Sequence, residues 1–227
     1  MDLYDESNAI HTGDMSSILT NTFFRMFLGL LASSLTAFYA YSSGIYVDII
    51  MNGYYSILAI VELAVVIIFS LLFRKLSPTA VTVLFFAYAF LNGFTLSVIF
   101  AAFEMTSIVY SFLGTAALFG ILAFLGYKTD KDISNWSTVL TVALIIGLIL
   151  TIFNFIIKSS MFDIVLDWGI LLIFFGLTVY DTYKIKKMQE MGFCEDEKLY
   201  VYGAMELYLD FINIFLRILS IFGKRRN

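Results

Sequence analysis

Long apolar blocks separated by short polar segments make up most of the chain. A transmembrane helix needs roughly 20 apolar residues to cross a hydrocarbon layer about 30 Å thick. Backbone groups in lipid must be hydrogen-bonded within the protein, so uninterrupted apolar runs of this length predict helices. Seven such spans are predicted, at about residues 24–41, 55–73, 79–103, 107–127, 136–157, 164–183 and 199–222.

The composition agrees with a membrane protein. Hydrophobic residues make up 60% of the 227 residues and charged residues only 14%, which is far from the balance of a soluble domain of this size. Because the connections are short, one all-α bundle of seven transmembrane helices is predicted over residues 24–222. An acidic tail without Lys or Arg is predicted for residues 1–23, and a basic tail for residues 223–227. An acidic tail argues against nucleic-acid binding.

Loop cations predict the orientation of the bundle. In the seven-span arrangement, one side carries these cations: Arg74, Lys75, Lys128, Lys131, Lys184, Lys186, Lys187 and Lys198. The loops of the opposite side carry only Lys158. Because cytoplasmic loops are enriched in Lys and Arg, we expect the N-terminus in the cytoplasm. The three cations at positions 224–226 conflict with this rule, so either the last segment is re-entrant or the C-terminal tail is translocated against the bias.

The last span is the least apolar, and its polar residues share one side of the helix. At 3.6 residues per turn, four of them fall within roughly 60° of one another: Glu206, Asp210, Asn213 and Arg217. Ionisable groups in a bilayer are costly and usually face the bundle interior or a water-filled path, so we expect this helix inside the bundle. The stripe fits either a structural network, in which Arg217 or a neighbour neutralises Glu206 or Asp210, or the lining of an ion pathway.

Asp181 lies near the end of the sixth span, in Tyr180-Asp181-Thr182-Tyr183. With Lys184 beside it, this residue fits an ordinary boundary carboxylate. If it approaches Asp210, however, the two carboxylates cannot both ionise easily in a low-dielectric site and would share a proton, which makes a pH sensor. Depth argues against that contact, because Asp210 lies about 16 Å into its predicted helix, unless this helix begins outside the membrane.

Glu62 lies in the middle of the second span without a basic residue one turn away. Two interpretations are open: a place on an ion pathway, or a protonated and hydrogen-bonded structural role. In the third span, Tyr88, Asn92 and Thr95 form a stripe at helical spacing, which favours hydrogen bonds between helices. Carboxylates are the ligands that calcium prefers, whereas one His and one Cys in the whole chain argue against a zinc site.

Several segments together resemble the Bax inhibitor-1 (TMBIM) family. Tyr180-Asp181 closes one span and Glu206-Leu-Tyr-Leu-Asp210-Phe-Ile-Asn213 lies in the next, and this pair of motifs is similar to the signature of that family. Phe24-Arg25-Met26-Phe27 with Gly29-Leu30-Leu31, and Tyr88-Ala-Phe-Leu-Asn92-Gly93, also resemble bacterial-type members. The resemblance covers nearly the whole chain. It implies a seven-helix fold with the last helix at its centre and a pH-dependent calcium leak across the membrane.

The resemblance also implies roles for individual residues. Asp181 and Asp210 correspond to an aspartate pair that senses pH and gives calcium a weak transit site. Arg74, or Lys75 beside it, takes the place of a cation that latches onto this sensor, although the positive-inside rule alone explains cations there. Glu62 takes the place of an acidic residue on the conduction route. Calcium ions, protons and the lipid bilayer are the implied partners, no cofactor is implied, and a bacterial plasma membrane is the implied location.

Other functions stay open from the sequence. An interaction protein that modulates a membrane protease or cell-death machinery would need a protein partner, and a proton-coupled calcium antiporter would need a proton gradient. An intramembrane aspartyl protease is disfavoured, because Leu207-Tyr208-Leu209-Asp210 lacks the Gly-x-Gly-Asp pattern of those enzymes. We therefore expect no enzymatic activity, and we predict a pH-sensitive calcium leak channel whose last helix lines the pathway with Glu206, Asn213 and Arg217.

Overall fold

The computed structural model describes residues 15–226, and the predicted all-α class is confirmed. These residues form eight helices: α1 Met15–Ser42, α2 Ile45–Met51, α3 Tyr54–Leu72, α4 Pro78–Ala102, α5 Met105–Lys128, α6 Trp136–Ile157, α7 Ser160–Glu190 and α8 Asp196–Phe222. Each predicted span corresponds to one long helix, and the short α2 was not predicted. Six of the described helices, α1 and α3 to α7, are long and apolar enough to cross a membrane.

The last helix, α8, lies at the centre of the bundle. It packs against α1, α4, α5 and α7, and side chains such as Leu207, Tyr208 and Ile214 are completely buried. By contrast, the backbone of α3 lies close only to α2 and α4, with the Phe69 ring also stacked on Tyr202 of α8, and the backbone of α6 lies close only to α7 among the described helices. An apolar helix can face lipid, whereas a helix with several ionisable groups is stable only inside the bundle. The central position expected for the last helix is confirmed.

One continuous α8 connects the two ends of the bundle. At its start, Nζ of Lys198 donates to the backbone oxygen of Arg74, in the loop between α3 and α4, at 3.0 Å. Just beyond its end, Nζ of Lys224 lies 2.7 Å from Oε1 of Glu104, in the loop between α4 and α5. These loops lie at opposite ends of α4, so we call them the Arg74 end and the Glu104 end. The re-entrant alternative for the last segment is therefore wrong.

Two helix boundaries differ from the predicted spans. Helix α7 continues to Glu190 instead of ending at residue 183, and it stops where Gly192 adopts a φ of 59°. Gly192 N–H donates to the Gln189 oxygen and Phe193 N–H to the Met188 oxygen, which is the Schellman arrangement of a helix C-terminus. At the other end of the chain, α1 begins at residue 15, so residues 15–23 belong to a helix. Residues 1–14, with most of the acidic tail, lie outside the described residues.

Two glycines allow close contacts between helices. A Cβ atom at Gly93 of α4 would lie 2.7 Å from the backbone oxygen of Ser33 in α1. A Cβ atom at Gly126 of α5 would clash with the backbone oxygen of Val179 in α7. Backbone oxygens cannot move aside as a flexible side chain can, and small residues at such interfaces are what lets membrane helices approach closely. The packing of α1 on α4 therefore depends on the absence of a side chain at Gly93.

We expect Gly93→Leu to destabilise the protein by about 3 kcal/mol, because the new side chain overfills the interface between α1 and α4. The melting temperature in detergent should fall by roughly 10 °C, measured by the loss of the monodisperse peak after heating. Gly114→Leu in α5 is the matched control, because a Cβ atom there meets nothing within 4 Å. Equal melting temperatures for the two variants would contradict this packing.

Candidate functional site

Three carboxylates and one lysine meet between α7 and α8. Asp181 and Asp210 are 5% and 3% exposed, and their carboxyl groups lie close enough to interact with each other. Nζ of Lys184 lies 4.0 Å from Oδ1 of Asp181 and 3.7 Å from Oε1 of Glu206. We call these four residues the carboxylate cluster. The sequence placed Asp210 deep in its helix and Asp181 near the end of its own, which argued against their meeting. The two nevertheless lie side by side, because α7 extends well beyond Asp181.

Helical spacing explains how the carboxylate cluster forms. Asp181 and Lys184 are three residues apart on α7, and Glu206 and Asp210 are four residues apart on α8, so each pair shares one helix face. Three carboxylates then share one ammonium group. Two ionised carboxylates repel each other strongly in a buried site, and one proton held between them relieves the repulsion. Oδ2 of Asp210 has no hydrogen-bond donor within residues 15–226, and such a proton would supply one.

Arg74, the predicted latch, lies away from the aspartate pair. Its guanidinium carbon is 4.5 Å from the centre of the Phe193 ring. Neither Arg74 nor Lys75 forms an ion pair in the described part of the chain. The cation at the pair is Lys184, which the sequence places one turn after Asp181. The structure therefore does not bring the predicted latch and the sensor together.

Arg217 belongs to a separate ion pair closer to the Glu104 end. Its Nη1 lies 2.5 Å from Oδ1 of Asp167 in α7, and Oγ of Ser220 donates to Oδ2 of the same residue at 2.6 Å. Arg217 therefore pairs with Asp167 and not with Glu206 or Asp210. The neighbour that pairs with Glu206 is Lys184. Asp167 was not predicted as a site residue from the sequence, although a carboxylate within an apolar span is itself a signal.

We expect Arg217→Met to lower stability by about 2 kcal/mol or more, because the carboxyl group of Asp167 then lies largely buried without its ion-pair partner. Thermal unfolding in detergent measures the effect. The double variant Asp167→Asn with Arg217→Met should lose less stability than the sum of the two single variants, because it leaves no unpaired charge. Additive losses would show that the pair contributes nothing beyond its separate side chains.

Glu62 is held by a hydrogen-bond network that crosses the bundle. Oγ1 of Thr95 donates to Oε1 of Glu62 at 2.5 Å, and Nδ2 of Asn92 donates to Oε2 at 3.2 Å. The hydroxyl of Tyr208 donates to Oδ1 of Asn92 at 2.9 Å and lies 2.6 Å from Oγ of Ser33. The network links α3, α4, α8 and α1. The hydrogen bonds expected from the stripe of the third span are confirmed for Asn92 and Thr95.

A cavity of about 630 Å³ lies beside this network. Glu62 of α3 and Asn213 of α8 both line it. Asn213 follows Asp210 by three residues, which is about 4.5 Å along α8, so the cavity begins near the carboxylate cluster. Of the predicted pathway residues, Glu62 and Asn213 thus share the cavity, Glu206 belongs to the carboxylate cluster, and Arg217 belongs to the ion pair with Asp167.

Comparison with known proteins decides the family. A family model described as "Inhibitor of apoptosis-promoting Bax1" matches residues 15–227. The chain belongs to the Bax inhibitor-1 family. It is 35% identical to "Inner membrane protein YbhL" of Escherichia coli (strain K12), over the full length of both chains. It is 38% identical to an uncharacterized membrane protein of Streptococcus pyogenes serotype M3, over 73% of this chain and 72% of that relative. An uncharacterized protein of Borreliella burgdorferi is 33% identical over 93% of this chain and 94% of its own length.

Family membership and apolar helices together identify the chain as a helical membrane protein of the Bax inhibitor-1 family. Calcium binding in this family member would have to rely on few ligands. Within residues 15–226, no cluster of three or more His, Cys, Asp or Glu side chains is arranged to hold a metal ion. Tight calcium sites use six to eight oxygen ligands. Asp181 and Asp210 alone do not supply that many ligands.

Proposed function

We propose that this Bax inhibitor-1 family member is a pH-sensitive calcium leak channel in which Asp181 and Asp210 form the proton sensor. The observation that carries the proposal is the buried contact between these two carboxyl groups, which come from different helices. A proton between them joins α7 to α8, and its loss makes the two helices repel each other at that point. The gain or loss of one proton can thus shift the equilibrium between two arrangements of the central helix, as gating requires.

The proposed pathway follows the polar residues on α8. From the Arg74 end, calcium would meet Glu206, then the aspartate pair, and then the cavity lined by Asn213 and Glu62. Each position offers one or two oxygen ligands, so binding stays weak enough for the ion to leave. Arg217 is neutralised by Asp167 and presents no free positive charge toward the Glu104 end of this route. A latch role for Arg74 requires a second conformation in which the loop between α3 and α4 moves toward the sensor.

Calcium flux into liposomes that contain only the purified protein tests this function. We expect calcium to enter with equal pH on both sides of the membrane and to enter at a different rate as that pH changes. A proton-coupled antiporter would lose its flux when a protonophore collapses the proton gradient, whereas a leak channel would keep it. An interaction protein would show no flux at any pH, and that result would contradict the proposal.

We also propose that the Arg74 end faces the cytoplasm of a bacterial cell and that the N-terminus lies on the same side. The cation-rich loops at the Arg74 end support this orientation. At the Glu104 end, the basic tail is bound to the bundle: Lys224 pairs with Glu104, and Nη1 of Arg226 donates to the hydroxyl of Tyr41 at 2.5 Å. The ion pair offsets the charge of Lys224, and the hydrogen bond anchors Arg226, so two of the cations that would oppose translocation of the tail are held by the bundle.

Cys194, the single cysteine of the chain, reports this orientation. It lies in the loop between α7 and α8 at the Arg74 end, and burial raises the pKa of its thiol, so labelling needs an alkaline buffer. We expect a membrane-impermeant maleimide to label Cys194 only after the cells are permeabilised. Asn52→Cys in a Cys194→Ser background places an exposed thiol at the Glu104 end and should be labelled in intact cells. The reverse pattern would show that the orientation is inverted.

A further inference from the structure

The cavity beside Glu62 lies between α3 and α6, whose backbones do not approach each other. No Cα atom of α3 lies within 8 Å of a Cα atom of α6 in the described bundle. Leu63 of α3 and Leu144 and Leu148 of α6 nevertheless line the same cavity. In a bilayer, the gap between α3 and α6 faces hydrocarbon. A molecule can therefore enter from the membrane, and the lining also reaches Tyr55, Ala102 and Phe103 at the Glu104 end.

The cavity wall is apolar and aromatic around one carboxylate. Tyr55, Tyr88, Phe103 and Phe174 contribute aromatic rings to the lining. Glu62 is 9% exposed, and its two oxygens lie within hydrogen-bond distance of Thr95 and Asn92. The lining contains no Lys or Arg, and Glu62 has no ion-pair partner among the described residues. A buried carboxylate without a counter-charge is costly, so the cavity is complementary to a positive charge.

We propose that this cavity binds a hydrophobic organic cation, such as a membrane-soluble amine or a quaternary ammonium or phosphonium compound. The positive charge would lie against Glu62, and the apolar groups would pack on the aromatic and aliphatic wall, where rings also attract cations. A volume of about 630 Å³ is in the range of small-molecule sites. A calcium ion would leave most of this wall unused. The inference depends on the cavity and on Glu62 alone, so it holds or fails separately from calcium transport.

Direct binding of radiolabelled tetraphenylphosphonium to the purified protein in lipid nanodiscs tests the proposal. We expect saturable binding to the wild type, and Glu62→Gln should weaken it by about 30-fold or more because the charge partner is removed. Leu144→Trp keeps Glu62 but fills the cavity from α6, so it should also weaken binding. Asp48→Asn removes the same charge from an exposed position in α2 and should bind as the wild type does.

Tetraphenylborate is the matched ligand control, because it has the same shape and the opposite charge. We expect no saturable binding of this anion to the wild type. Equal affinity of the wild type and Glu62→Gln for the cation would overturn the proposal, as would saturable binding of both ions, which would indicate an apolar site without charge selection. Absence of saturable cation binding to the wild type would overturn it as well. Calcium flux is then measured on the same protein preparation after transfer to liposomes. Flux that persists while the cation does not bind means that only the cavity proposal has failed.

Discussion

Asp181→Asn and Asp210→Asn are each expected to abolish the pH dependence of calcium flux, across about pH 5 to 8. The amide keeps the size of the side chain but can neither bind nor release the proton that joins α7 to α8. The remaining aspartate then faces an amide instead of a second aspartate on the other helix, so the shared proton that converts a pH change into helix movement is lost. The measurement is the initial rate of calcium entry into liposomes at a series of symmetric pH values.

Asp132→Asn is the control for a general effect of removing a carboxylate. Asp132 is exposed in the loop between α5 and α6, and hydrogen bonds from Ser134 hold its pKa below the usual range. A carboxyl group with a lowered pKa stays ionised throughout the tested range, so it cannot contribute a pH response there. We expect this variant to keep the wild-type profile. An unchanged profile in both Asp181→Asn and Asp210→Asn would contradict the sensor.

Lys184→Met is expected to move the pH midpoint of the flux to higher pH by about one unit. Lys184 is the cation at the carboxylate cluster, and two charges 4 Å apart at an effective dielectric constant of 20 interact by about 4 kcal/mol, which partial exposure reduces. Without this ammonium group, the carboxylates hold their shared proton to a higher pH. The titration of flux against symmetric pH in liposomes measures the shift.

Two further variants separate Lys184 from the other cations. Lys187→Met removes a lysine from the same helix, but that lysine pairs with Glu190, so its midpoint should match the wild type. Arg74→Met tests the latch directly. If Arg74 reaches the sensor in a second conformation, this variant should also shift the midpoint, whereas a cation that only packs on Phe193 should leave it unchanged. A midpoint that stays constant in Lys184→Met would contradict its role in the carboxylate cluster.

The sequence predicted the helices well because a bilayer leaves few alternatives. Each apolar block became one helix, and the least apolar block became the central one, since lipid excludes charged residues from the periphery. The boundaries were less reliable. Hydropathy ended the sixth span at residue 183, where lysines begin, whereas the backbone of α7 ends at the Gly192 turn. The short α2 was missed because it is an isolated seven-residue helix between Gly44 and Gly53, too short to show a periodic pattern.

The site was predictable only in part, because partners on different helices depend on how the helices are rotated in the bundle. The stripe on α8 indicated a polar face, but it could not show that Asp210 meets Asp181 while Arg217 meets Asp167. The resemblance to a family predicted that Asp181 and Asp210 act together, whereas no pattern in the sequence predicted that Arg217 pairs with Asp167. The hydrogen bonds of Tyr208 were also missed, since a tyrosine in an apolar helix looks like ordinary packing.

Infrared difference spectroscopy tests most directly whether a proton on the aspartate pair sets the conducting state. The spectrum of the wild type minus that of Asp210→Asn isolates the protonated carboxyl band of the pair at each pH. We predict a band that disappears as the pH rises, with the same midpoint as the change in calcium flux. A difference spectrum without a titrating carboxyl band in the range where the flux changes, or a band whose midpoint differs from that of the flux, would contradict the account.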